Sequence, residues 1–306
     1  MASLSDKGFA DSLSPSTQYI LEHVGIEHLL PYLSHVEEHD DVFPPLVKSV
    51  HDILVFDRRF ESIILKYVGV VEMQLKAQYS HWGTCELGPF FLYSPKNYHD
   101  PKKHARSVEG FERELRRKLK NNRRLSQLYK DNDNRLPAGP AVECMTLGTL
   151  STLFDNTRNL TVTNAVCESF HARKAELSSW LKATSNVRNI CAHFESLVTR
   201  KQIPTPPLPI RGVDASNRRP FYIAALLARL LSREELFEDM NLCFPYMLTL
   251  ELYKMLSSFE EFLPGALGTF GIPDDWIDAL NDASGGQVRR AINYLERDQP
   301  FETKGN

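Results

Sequence analysis

Between Leu46 and Trp82 the apolar residues Ile53, Phe56, Phe60, Ile63, Ile64, Tyr67, Val71, Leu75, Tyr79 and Trp82 follow one another at spacings of three and four. That is the period of a helix and not of a strand, and it predicts one long helix of roughly 50 Å at about 1.5 Å per residue. A stripe of that length needs apolar partners along its whole course. The chain offers further helices rich in Leu, Ala, Met and Tyr, in Phe221–Leu231 and Pro245–Phe262. Alternating apolar and polar runs of useful length are absent, so the expected fold is all-α, a helical bundle with additional N- and C-terminal helices.

Proline and glycine divide the rest. Residues 1–15 are Ser-rich and read as a flexible N-terminus, with Thr17 the expected N-cap of a first helix. Pro31 and Pro44-Pro45 are expected to break the next stretch into short helices, and residues 83–101, with two glycines and three prolines, read as a loop. The expected layout is a helical domain over 16–280, with a basic insert at about 102–136 and a C-terminal tail at 281–306. Five cysteines with no paired metal spacing fit thiols in a reducing compartment. The start of the chain lacks a signal-peptide pattern, and no stretch reaches 18 apolar residues; a cytoplasmic protein without a membrane partner is expected.

One more stripe carries chemistry. Leu177, Trp180, Leu181, Thr184, Val187, Ile190, Cys191, Phe194, Leu197 and Val198 predict an amphipathic helix over Leu177–Val198. Arg188, Asn189 and His193 fall outside its apolar side. Arg can hold a phosphate through two parallel hydrogen bonds, and His moves protons near neutral pH. A lone Arg-x4-His is a weak signal, and a histidine on a polar face is most often only solvated.

The context strengthens it. Arg188-Asn-Ile-Cys-Ala-His193 after Trp180-Leu-Lys resembles the signature of the Abi-like (abortive-infection) bacterial proteins, which belong to the HEPN group of helical ribonucleases. Val55-Phe-Asp57-Arg58-Arg-Phe60 and Glu72-Met-Gln-Leu-Lys76 resemble further blocks of that family, with Lys76 where an Arg is expected. So do the stretch from Glu143 to Phe154 and Gly271-Ile-Pro-Asp-Asp-Trp276, and the resemblance runs from about residue 17 to 280. For Asp57, Arg58 and Glu72 the favoured reading is ion pairing. Glu143 is expected near the start of a helix, either favouring its positive end or orienting the motif His or Arg.

The resemblance implies a HEPN-like bundle and a metal-independent endoribonuclease that uses no cofactor, cutting RNA in phage defence or as a toxin. Arg188, Asn189 and His193 would be catalytic. His193 suits proton transfer, Arg188 charge stabilisation and Asn189 orientation. One such histidine per chain is short of an acid and a base, which motivates a homodimer. The resemblance also leaves room for a neutralising antitoxin, protein or RNA. The competing class is a non-catalytic module that binds RNA or a partner; chemistry on small nucleotides is a third, weaker option.

RNA also needs cations. The chain carries −3 overall, yet Lys102 to Arg124 holds ten Lys or Arg against three Glu, leaving +7 there and −10 elsewhere. Lys102, Lys103, Arg106, Arg116, Arg117 and Lys118 are the candidate contacts to a phosphate backbone. With Phe111 and Tyr129 the only aromatics nearby, base reading is not expected there. The bland alternative is a solvated helix.

Overall fold

Every regular element is helical among the residues that the computed structural model describes, namely 9–11, 14–203, 207–211, 213, 219–232 and 243–298. A single isolated bridge between Tyr98 and Thr157 is the one β-type pairing among them. In chain order the helices are α1 (Pro15–His23), α2 (Ile26–Glu38), α3 (Val47–Leu87), α4 (Pro101–Asn121), α5 (Arg123–Asp131), α6 (Ala138–Val142) and α7 (Leu147–Asn156). There follow α8 (Leu160–Glu168), α9 (Lys174–Ala192), α10 (Phe221–Leu230), α11 (Phe244–Phe262), α12 (Ala266–Thr269), α13 (Trp276–Ala283) and α14 (Gln287–Asp298). The expectation for residues 1–8, 12 and 13 of the N-terminus lies outside the described residues. The C-terminal stretch from 281 carries most of its described length in α14.

The contacts divide the chain into two units, Met1–Tyr67 with Val187–Asn306, and Val68–Asn186, so the boundaries fall within α3 and α9. The first unit gathers an aromatic core in which Phe56 stacks on both Phe259 and Phe270, with ring centroids 4.1 and 5.2 Å apart. Its α10 buries all but Arg229 of its ten residues. A helix apolar on every side belongs to a core. In the second unit Tyr79 is wholly buried, donating or accepting at Thr157 Oγ1 over 2.7 Å and packing edge-on against Phe91.

Four local expectations need correction. Ser14, not Thr17, caps α1: its hydroxyl accepts from the Thr17 N–H, and Pro15 takes the first helical position, where a missing N–H costs nothing. Pro31 sits inside α2 without ending it. The carbonyl it frees belongs to Glu27, and both residues are exposed, so water can satisfy the group. α3 runs on through Gly83 to Leu87, and the stretch beyond it forms two 3-10 turns, Phe91–Tyr93 and Pro95–Asn97. Gly83 is not a breaker but a point of close approach. A Cβ there would lie 2.1 Å from the Phe91 ring.

The fourth correction moves the end of the motif helix. α9 stops at Ala192, six residues short of the expected Val198. Phe194 adopts φ 56°, the Phe194 N–H donates to Cys191 O and the Glu195 N–H donates to Ile190 O. This pair of closing bonds around a left-handed residue is the Schellman ending of a helix. Leu197 and Val198 are buried, as their place in the apolar series requires, but they reach the core after the chain has turned.

Candidate functional site

The turn after α9 is held from α3. Asp57, fully buried, accepts from the backbone N–H groups of Leu197 at 2.9 Å and Val198 at 3.1 Å, and from the Tyr32 hydroxyl at 2.7 Å. Those N–H groups have left the helix and would otherwise be buried without partners, so the carboxylate replaces the helix's own carbonyls. Arg58, the next residue, donates from Nη2 to Phe194 O at 2.6 Å and from Nη1 to Glu61 at 2.6 Å. Its guanidinium also lies over the Phe194 ring, 5.4 Å from the centroid. Asp57 and Arg58 are thus more than the ion-pairing residues expected: together they bind the backbone that follows His193.

This cluster is electrostatically loaded. Burial raises the Asp57 carboxyl above its ordinary range, with the three donors pulling the other way. Burial, and then the neighbouring Asp57 charge, push Glu61 up to about 8, despite its ion pair with Arg58. One guanidinium is shared among Glu61, Phe194 O and the Tyr32 hydroxyl, and Glu61 Oε1 has no hydrogen-bond partner. Burial likewise raises the Cys191 thiol and the Tyr32 hydroxyl. Cys191 is therefore an inert core thiol.

Around the turn opens a cleft of about 570 Å³. His193, Phe194 and Arg200 line it with Arg58 of α3 and Glu27 and His28 of α2. His193 is exposed here, one residue past the end of α9. Arg200 is committed locally, its Nε donating to Ser196 O and its Nη2 to Glu195, each at 2.7 Å. Arg188 and Asn189 do not line this cleft. At about 100° per residue, Arg188 stands roughly 140° around the helix from His193 and Asn189 roughly 40°. Asn189 is exposed and Arg188 half-buried, and among the described residues neither side chain has a hydrogen-bond or ion-pair partner. His28 was not singled out in the sequence, where no spacing ties it to a residue 165 positions away.

In the other unit, Glu143 is not at a helix start. It is the C-cap of α6, where the helix end is partly negative. Lys76, which is also 2.8 Å from Glu72, lies 3.5 Å from the Glu143 carboxylate, and Lys118 donates to the Glu143 carbonyl. The basic stretch is helical throughout its middle. Asp100 caps α4 by accepting from the Lys102 and Lys103 N–H groups, and Asn122 caps α5. His104, Ser107, Phe111 and Leu115 form the buried face of α4. Lys102, Arg106, Arg116, Arg117 and Lys118 are exposed; Lys103 is half-buried, paired with Asp155 at 2.6 Å. Five of the six candidate cations therefore stand on the outer face of one helix.

Among the described residues, no group of three or more His, Cys, Asp or Glu side chains is arranged to hold a metal ion. No described helix is long and apolar enough to cross a membrane. All five cysteines are unpaired.

An all-helical chain whose Asp-Arg pair clamps the exit of an Arg-Asn-x3-His helix is a definite class of molecule. The family described as Abi-like protein matches residues 19–199, more than half of the chain, and the chain belongs to that family. The match takes in Asp57, Arg58, Glu143 and the whole motif, and ends before the Gly271–Trp276 block. No curated protein and no solved structure matches the chain.

Proposed function

We propose that this chain is a metal-independent endoribonuclease of HEPN type, acting in abortive infection or as a toxin in the cytoplasm. The observation that carries the reading is His193. It is exposed on an open cleft, at the end of a helix fixed by a buried network that does not use the imidazole itself. A solvated histidine needs no such anchoring; a proton-transfer group does.

In this reading the ribose 2′-hydroxyl attacks the adjacent phosphorus, its proton passes to one base, and the departing 5′-oxygen takes a proton from an acid. The products are a 2′,3′-cyclic phosphate and a 5′-hydroxyl. His193 is one of the two proton-transfer groups. Arg188 and Asn189, which have no partner among the described residues but lie off this cleft, would meet and orient the phosphate where a second copy of the chain brings the motifs together. A two-fold homodimer would supply the second histidine as another His193; His28 offers the same service from within one chain. His28→Ala separates these: it should abolish cutting if His28 is the second group, and leave cutting unchanged if a second chain's His193 is.

One observation favours the competing reading, a non-catalytic module that binds RNA or a partner. The two arginines on the cleft, Arg58 and Arg200, are already committed to Phe194, Glu61 and Glu195, and Arg188 lies off it. An RNase assay with EDTA present, on wild type and His193→Ala, decides between the two. A neutralising antitoxin, protein or RNA, would bind over the same cleft.

A further inference from the structure

Phe194 is an unusual residue for its position. The left-handed site that closes a Schellman ending is ordinarily glycine, because a side chain there meets its own backbone. Here a bulky aromatic holds φ 56°. Its burial does not explain the choice, since 64% of the residue is exposed. Three contacts over-determine the turn instead: Arg58 donates to the Phe194 carbonyl, the same guanidinium lies over the ring, and Asp57 fixes the backbone of Leu197 and Val198. A strained residue kept in place by its surroundings, while its own ring faces solvent, is the kind of outlier that marks a ligand-contacting position. The ring stands directly after His193 and lines the same cleft.

We propose that Phe194 is a nucleobase platform. Its ring, backed by the Arg58 guanidinium, stacks on an unpaired base of single-stranded RNA adjacent to the phosphate at His193. The proposal rests on the RNA-directed reading of this cleft and deepens it. Stacking is tolerant of sequence, because every base presents a π-face. An unstacked strand lets the 2′-hydroxyl rotate into line with the leaving oxygen, so the platform selects single strands over duplex.

The test uses the full chain and labelled single-stranded RNA oligonucleotides, with affinity measured by anisotropy in a His193→Ala background and thermal midpoint measured alongside. Phe194→Gly should keep or raise the midpoint, because glycine relieves the turn, and should weaken single-strand binding roughly 5- to 150-fold, the loss typical of one stacked base. Phe194→Leu, which keeps bulk but no π-face, should bind as weakly; Phe194→Trp should bind like Phe. Duplex RNA of the same sequence should show no dependence on residue 194. Wild-type affinity in Phe194→Gly or Phe194→Leu would overturn the proposal, even if cutting by the wild-type chain is confirmed. Phe194-dependent binding by a chain that never cuts RNA would support the platform and defeat the ribonuclease reading alone.

Discussion

Asp57 illustrates what a buried charge is for in this chain. It accepts three hydrogen bonds, two of them from backbone donors that the end of α9 leaves behind. Asp57→Ala would strand those donors and should cost roughly 3–5 kcal/mol, the range for removing one partner from a buried charged network; a fall in urea midpoint measures it. Glu61 behaves differently. Its carboxyl is held at about 8 in the folded chain against an ordinary 4.5. The folded state therefore keeps a proton that the unfolded chain has released, so stability is fullest below about 4.5 and declines as pH rises towards about 8. Glu61→Gln should flatten that part of a denaturation-midpoint profile. An unchanged slope would mean that other groups set it. Neither role is legible in the sequence, where Asp57, Arg58 and Glu72 suggest ion pairing. Arg58 and Glu72 do pair within the helix, with Glu61 and Lys76, whereas Asp57 binds backbone instead.

At the scale of elements, periodicity read well wherever apolar residues decide the matter. The long stripe of α3 and the buried face of α9 lie where the spacing of their residues puts them, and α10 and α11 lie where the apolar composition does. Misread were the ends, which depend on single backbone groups and their distant partners. Leu197 and Val198 continue the apolar series of α9, so the spacing carries the helix to Val198; a carboxylate 140 residues earlier holds the turn that ends it sooner. Gly83 suggests a break because glycine punctuates so many sequences, although here it makes room for the Phe91 ring. Gly83→Ala should therefore cost about 1–3 kcal/mol through overpacking, seen as a lowered thermal midpoint, where an exposed mid-helix Gly→Ala would stabilise.

For the whole molecule, the −3 net charge conceals a division between a basic helix and an acidic remainder. The exposure of Lys102, Arg106, Arg116, Arg117 and Lys118 on α4 follows from its buried face, and that much could be seen from the sequence. Neutralising these five should weaken RNA binding and reduce the slope of log affinity against log salt by roughly 0.7 per lost phosphate contact on a single strand. Cutting at saturating RNA should survive. An unchanged slope would leave α4 a solvated surface. The site was only partly legible. The motif exposed His193, but Arg188 and Asn189 prove to lie off its cleft, while His28, Arg58 and Phe194 line it. Residues brought together by a turn and by distant helices share no sequence spacing, so no pattern could have joined them.

The central claim is that His193 transfers a proton during RNA cleavage. It is tested most directly by incubating wild type and His193→Ala with single-stranded RNA in EDTA and analysing the ends produced. The expected result is wild-type cleavage leaving cyclic phosphate and 5′-hydroxyl ends, with a loss of at least about 10²-fold in the variant. Its thermal midpoint should be unchanged, because the side chain is exposed and has no partner among the described residues. Cleavage of the same rate and chemistry in well-folded His193→Ala would contradict the claim.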